Sequence, residues 1–166
     1  MRYDWGLPRD DRDHFEFELC YALKRLVVFY ISHDQSKVEN AAVRWLEVNR
    51  RITKYQYGFE EAIAEALHFL AAHHREQNRI DEAVKEYSEA FEVRQDIENH
   101  DVAWDEDVVD ALYELGKKLL QQGDRDKAEE VLSRTLDFRR RLAEKNPEKY
   151  AKAVTEAEAA LKECQR

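Results

Sequence analysis

Two stretches of this chain repeat one another at a spacing of 45 residues. Leu67, Leu70, Ala71, Ala83, Tyr87, Ala90, Phe91, Arg94 and Ile97 fall onto Leu112, Leu115, Gly116, Ala128, Leu132, Thr135, Leu136, Arg139 and Leu142. An internal period of about 20–50 residues marks a stacked array, in which no single unit can bury its own apolar face. Arrays of this kind present surfaces more often than they perform reactions. The period therefore narrows both the fold and the class of function.

Composition fits such an array. Hydrophobic residues make up 43% of the 166, charged residues 38%, and only four Gly and two Pro interrupt them, the profile of a soluble, mostly helical chain. No apolar run reaches about 18 residues, so no membrane-spanning helix is expected. Met1 to Asp13 is polar and acidic without a basic-then-apolar leader, which predicts a cytoplasmic location. The net charge of −9 is unevenly spread: residues 1–56 hold ten Lys/Arg against nine Asp/Glu, and residues 57–166 hold 17 against 27. An acidic body repels phosphate backbones, and Arg139, Arg140 and Arg141 point in different directions on a helix, so nucleic acid is not an expected partner. Cys20 and Cys164 stand at opposite ends and make no metal or disulfide framework. Cys20 lies among apolar residues and is expected to be buried, Cys164 to be exposed.

Periodicity and punctuation predict seven helices. The first spans about 11–32. The second follows Ser36, where Ser36-x-x-Glu39 has the form of a capping box, and runs to about Thr53. Tyr55, Tyr57 and Gly58 mark a break. The third covers about 59–77 and the fourth about 81–98. A polar loop from Asn99 to Trp104 precedes the fifth, which opens on Asp105, Glu106 and Asp107, acids suited to the positive end of a helix dipole, and stops near Gly123. The sixth covers about 126–144. Asn146-Pro147 then supplies an N-cap and a first-turn proline for the last, ending near Glu163. Ala71, Gly116, Ala83 and Ala128 sit where neighbouring backbones must approach to about 8–10 Å.

At these positions the chain resembles the tetratricopeptide repeat family. Leu67, Leu70-Ala71, Ala83, Tyr87 and Ala90 follow its pattern in one repeat, and Leu112, Leu115-Gly116, Ala128, Leu132 and Thr135 in the next. An earlier repeat is weaker: Leu23, Leu26 and Tyr30 fit its first helix, Val48 and Ile52 align with Val93 and Ile97, and the small residues are missing. The segments His100-Asp101-Val102-Ala103 and Asn146 to Ala151 resemble linkers of the longer, kinesin light chain type. The resemblance implies an all-α, right-handed superhelix of three tetratricopeptide-like helical hairpins, at about 11–54, 59–98 and 105–144, with a capping helix at 147–163, in one domain spanning 1–166. Exposed Lys152, Glu156 and Glu163 suit the polar end of a stack, and the degenerate first repeat with this polar last helix suggests a complete three-repeat unit.

No Gly-rich phosphate loop, His-Glu-x-x-His or Gly-x-Ser-x-Gly is present, so neither catalysis nor a cofactor is expected. His68 and His73 are five apart and His73-His74 adjacent, which does not place metal ligands on one helix face; His74 falls at a core position. In the family the first helix of each hairpin lines a concave groove. Carried onto this chain, the groove candidates are Tyr21, Lys24, Val28 and Ile31; Glu65, His68, Ala72 and Arg75; and Asp110, Tyr113, Lys117 and Leu120. Aromatic and cationic groups together suit peptide capture. Lys24 and Lys117 sit where a carboxylate clamp would use lysine, but the clamp's asparagines are absent.

Helix one departs from simple amphipathicity. Phe15, Leu19, Leu23, Leu26 and Tyr30 cluster as a core stripe. Phe17, Tyr21, Val28 and Ile31 fall on the opposite side, interrupted by Lys24, so the helix is buried twice or carries an adhesive patch. The Met1–Pro8 segment with Tyr3 and Trp5 could cover that patch, a partner could fill it, or a second copy could pair with it. Trp104, flanked by Asp101, Asp105, Glu106 and Asp107, is either an anchor for a basic partner or packs beneath its own loop. The expected function is a non-enzymatic adaptor or scaffold that docks a protein, as a peptide or helix, in its concave groove. The alternatives are a homodimeric module joined through helix one and a small-molecule-sensing regulatory module.

Overall fold

Gly58 and Gly123 adopt φ of +97° and +85°, a left-handed conformation that a β-carbon disfavours, and each stands at a break between helices. The computed structural model describes residues 9–54, 58–95, 97 and 102–165. Among them the chain forms α1 (Arg9–His33), a 3-10 turn (Gln35–Lys37), α2 (Val38–Ile52), α3 (Glu60–Glu76), α4 (Ile80–Gln95), α5 (Val102–Gln122), α6 (Arg125–Lys145) and α7 (Pro147–Cys164), and no strand. Each helix packs on its neighbours in sequence, and α7 also touches α5. This is the all-α hairpin array that short connections impose. Tyr55, Tyr57 and the Met1–Pro8 segment lie outside the described residues.

Local chemistry sets the ends. Asn146 Oδ1 accepts from Lys149 N at 3.2 Å, with Pro147 opening α7, and Asp124 caps α6 in the same way through Lys127 N. The capping box at Ser36 and Glu39 does not form. Ser36 lies in the 3-10 turn and donates to Asp34 Oδ1 at 2.6 Å, while α2 starts from Lys37 without a side-chain cap. Glu39 instead accepts from Arg79 at 2.8 and 2.9 Å, and a charge-assisted pair outweighs a neutral cap. Trp104 is not in a loop either: α5 begins at Val102, so Trp104 projects from its first turn and packs on both core clusters.

Those two clusters divide the interior. One joins Leu23 and Val27 of α1, Trp45 and Leu46 of α2, and Ile63, Leu67 and Leu70 of α3. The other runs from Tyr87 and Phe91 through Leu112, Leu115, Leu132 and Phe138 to Tyr150 and Cys164. Phe91 and Phe138 stack at 4.1 Å between ring centroids. The buried residues of α2 and α4 coincide at a step of 42, not 45: Ala41 takes the place of Ala83, and Trp45 that of Tyr87. The first hairpin therefore does carry the small residue, Ala41, which a uniform step of 45 hides.

Two further expectations are corrected. Cys164 is buried, because α7 folds that face onto the second cluster. The core stripe of α1 is Glu16, Cys20, Leu23 and Val27, and Phe15 and Leu26 are exposed. Periodicity alone could not place this stripe, since apolar residues point to every side of α1. His74 is the expected core histidine. It bonds Glu86 through Nδ1 at 2.7 Å, and its Nε2 lies 3.2 Å from Glu39, tying α3 to α4 and α2. Arg79 holds the Glu39 carboxyl below its usual range, whereas burial pushes Glu86 up.

Candidate partner-binding groove

The first three helices, the end of α4 and the start of α5 surround an open cavity of about 670 Å³. Phe17, Cys20, Tyr21 and Lys24 come from α1, Trp45 and Asn49 from α2, Phe59, Glu61, Ala62 and Glu65 from α3 and the turn before it, Arg94 from α4, and Trp104 from α5. Tyr21 and Lys24 are one turn apart on α1, which puts both on the cavity side.

Its floor is rigid. Asn49 is fully buried, donates to Trp45 O at 2.8 Å and accepts from Cys20 Sγ at 3.3 Å. Burial raises the Cys20 thiol to about 11, so it stays protonated and acts as a small packing group. Phe17 meets Phe59 edge-on at 6.1 Å. Lys24 lies 5.8 Å from the Trp45 ring and bonds Glu65 at 2.6 Å across the cleft. At the α5 side the Arg94 guanidinium sits 4.4 Å from the Trp104 ring, bonds the buried Asp105 at 3.0 Å and reaches Glu61 at 3.3 Å. The cavity thus offers aromatic walls with polar groups held at fixed points, the usual make-up of a recognition pocket.

The structure distributes the groove candidates in three ways. Tyr21, Lys24 and Glu65 face one another around the cavity. His68 lies beside it, half-buried, its ring 5.1 Å from Trp104 and 5.6 Å from Tyr87. Burial lowers its pKa, which favours the neutral ring that packs there. Val28, Ile31 and Arg75 are exposed farther along α1 and α3. The α5 candidates are engaged by the chain itself: Arg139 bonds Asp110 at 2.9 Å and lies 4.0 Å from the Tyr113 ring. The Tyr113 hydroxyl reaches Glu156 O of α7 at 3.5 Å, and Lys117 pairs with Glu114. Thus α7 leans on the part of α5 that matches the open part of α1.

Trp45, Phe59, Arg94 and Trp104 were not among the groove candidates. Trp45 was visible as the partner of Tyr87 at a step of 42, while the Arg94–Trp104 contact joins two helices whose packing no local pattern encodes. Among the described residues no group of three or more His, Cys, Asp or Glu could hold a metal ion, and no helix is long and apolar enough to cross a membrane. Residues 62–141, from α3 into α6, match the family model described as tetratricopeptide repeat. No curated protein matches the chain. Over these four helices residues 62–141 form tetratricopeptide repeats, which generally mediate protein–protein interactions.

Proposed function

We propose that this chain is a non-enzymatic, cytoplasmic adaptor that docks a peptide or helix of a partner protein in the cavity between α1, α3 and the start of α5. In this reading the three hairpins and α7 form one unit. The observation that carries the proposal is the set of aromatic walls, Phe17, Tyr21, Phe59 and Trp104, gathered from three hairpins around an open cleft. An apolar anchor side chain fits between them. Lys24, Glu65 and Glu61 lie within reach of the backbone and polar groups that flank it, and aromatic residues at a concave centre are the usual energetic hot spots of such contacts. The exposed ring of Tyr21 makes the cleanest probe, because its loss leaves the core untouched.

The test pairs wild type with Tyr21→Asp, each shown folded by circular dichroism. Partners captured from lysate are purified and titrated against both forms. The expected result is a loss of affinity of about 30-fold or more, the scale of a hot-spot aromatic. Equal affinity for both forms would remove the cavity as the docking site.

A further inference from the structure

The rings around the cleft already receive cations, and the chain supplies them itself. Lys24 Nζ lies 5.8 Å from the Trp45 ring and the Arg94 guanidinium 4.4 Å from the Trp104 ring. Arg25 stands 5.9 Å from the Tyr21 ring. Farther along the stack, Arg139 repeats the contact with Tyr113 at 4.0 Å. An aromatic face is the negative part of the ring's quadrupole, so it draws a cation to within about 6 Å. For two of these cations a carboxylate completes a closed set: Asp105 bonds Arg94 at 3.0 Å, and Asp110 bonds Arg139 at 2.9 Å. Both guanidinium groups are buried. The corresponding set of Lys24, Trp45 and Glu65 is open, with the Lys24 side chain 41% exposed and that of Glu65 30%.

We propose that the cleft selects a basic segment: an arginine beside the partner's apolar anchor takes the place of Lys24 on Glu65, and Lys24 is a built-in competitor for that place. The assignment rests on the cleft being where a partner docks, and it adds the charge of the docked segment. Of the groups on the cleft, Lys24 and Arg94 are cationic, whereas Glu61, Glu65 and Asp105, which binds Arg94, are anionic. The excess is negative, within a body that from residue 57 onward holds 17 Lys/Arg against 27 Asp/Glu. Such a surface draws a basic segment and repels an acidic one. Lys24 is already committed to Glu65 at 2.6 Å, so it is not held out for a carboxylate of the partner.

The exchange is open to arginine for two reasons. A partly exposed lysine–carboxylate pair is weak, because both groups are well hydrated when apart and the long lysine stem loses freedom when held. Lys24 can therefore return to water at little cost. A guanidinium also makes more of the same place than an ammonium does. Lys24 reaches one oxygen of Glu65, Oε2, whereas a planar fork bonds both oxygens and lies flat on a ring. A segment without a cation leaves Lys24 on Glu65 and gains neither contact. The Lys24–Glu65 bond thus works as a latch that opens to a cation and stays closed to its neutral counterpart.

The probe is the blocked tetrapeptide acetyl-Gly-Leu-Arg-Gly-amide, set against its citrulline counterpart, in which a neutral urea of the same shape replaces the guanidinium. Each is titrated into the whole chain to about 10 mM, a range that reaches weak affinities, and binding is read from the indole N–H NMR signals of Trp45 and Trp104. The expected result is a preference of about 10-fold or more for the arginine peptide, the scale of a hydrogen bond to a charged group. Glu65→Gln abolishes the preference. Lys24→Met raises affinity for the arginine peptide about 2- to 5-fold, the scale of an exposed ion pair, and leaves the citrulline peptide unchanged. Added to Glu65→Gln, Lys24→Met brings no gain, whereas a mere change of net charge would still bring one. Circular dichroism confirms that each variant is folded. A citrulline peptide that binds as tightly as the arginine peptide overturns the proposal and leaves the cleft as a docking site. Weaker binding in Lys24→Met also overturns it, since Lys24 would then be the recognition group. So does an arginine peptide that fails to bind Lys24→Met by about 10 mM. The docking reading itself fails separately, through a captured partner indifferent to Tyr21→Asp.

Discussion

The helices α1 and α3 open successive hairpins and carry matching apolar residues, yet they live in different surroundings. Leu23 and Leu67 are both buried, whereas Leu26 and Leu70 differ completely in exposure. The difference is not in the side chains but in what stands beside them. A position in the interior of a stack has neighbours before and after it, and among the described helices α1 has its main packing partner on one side only. A hydrophobic pattern states which faces can be buried; the number of packed neighbours decides which faces are.

The joints of the stack show the same contrast. At the end of α4, Arg94 is buried against Asp105, and at the end of α6, Arg139 is buried against Asp110 and Ala153 O. Each ties a hairpin to the helix that follows it or to its own first helix. In α2 the equivalent place holds Ile52, so the first hairpin lacks this tie. The largest expected effect follows. Arg94→Ala should destabilise by about 3–5 kcal/mol in urea unfolding, because it strips the cation from a carboxylate that is fully buried. Arg139→Ala should cost less, about 1–3 kcal/mol, because the Asp110 side chain is 68% exposed and can return to water. The reverse order would mean that the interior joints are not graded by the burial of the acid.

Much of this architecture was legible in the chain. The helix count, the Asn146-Pro147 start of α7 and the small residues at the crossings all follow from local rules that the fold obeys. The approach of Tyr21, Lys24 and Glu65 to one cleft follows from a step of 44 between α1 and α3. The cavity floor did not, since Trp45 becomes visible only when the first hairpin is read at a step of 42. The pairing of Arg94 with Asp105 also escaped: the acids at the start of α5 look like dipole acids, and Asp105 is in fact an interior ion-pair partner. Nor could the pattern of α1 show its buried stripe, because every side of that helix offers apolar groups.

The stripe of α1 can be tested with two adjacent residues of one kind. Val27 is 0% exposed and Val28 is 50% exposed. Val27→Ala removes fully packed methyl groups and should cost about 1.5–3 kcal/mol. Val28→Ala should stay within about 0.5 kcal/mol, as surface changes do. Both are read by urea unfolding at low micromolar protein. Comparable losses for the two would show that α1 is covered on its second side as α3 is, and the comparison would collapse.

The smallest effect concerns the closest approach within a hairpin. Val27, Ala71 and Gly116 hold the same place in α1, α3 and α5 at steps of 44 and 45. The same spacing of 16 residues that joins Gly116 to Leu132 joins Ala71 to Tyr87. A β-carbon on Gly116 would lie 2.7 and 2.8 Å from Leu132 Cγ and Cδ2, and Leu132 is fully buried and has nowhere to retreat. Alanine gains about 1 kcal/mol over glycine in a helix interior, but overpacking a tight contact costs about 1–3 kcal/mol. Gly116→Ala should therefore lower stability by about 1 kcal/mol net, seen as a shift in the urea midpoint at constant slope. A stabilising outcome would mean that α5 and α6 can separate without loss, and that the glycine answers to propensity rather than to the branched side chain facing it. A midpoint that falls with the slope unchanged would show that each hairpin sets its own spacing, with Ala71 suited to the flat ring of Tyr87 and Gly116 to the bulk of Leu132.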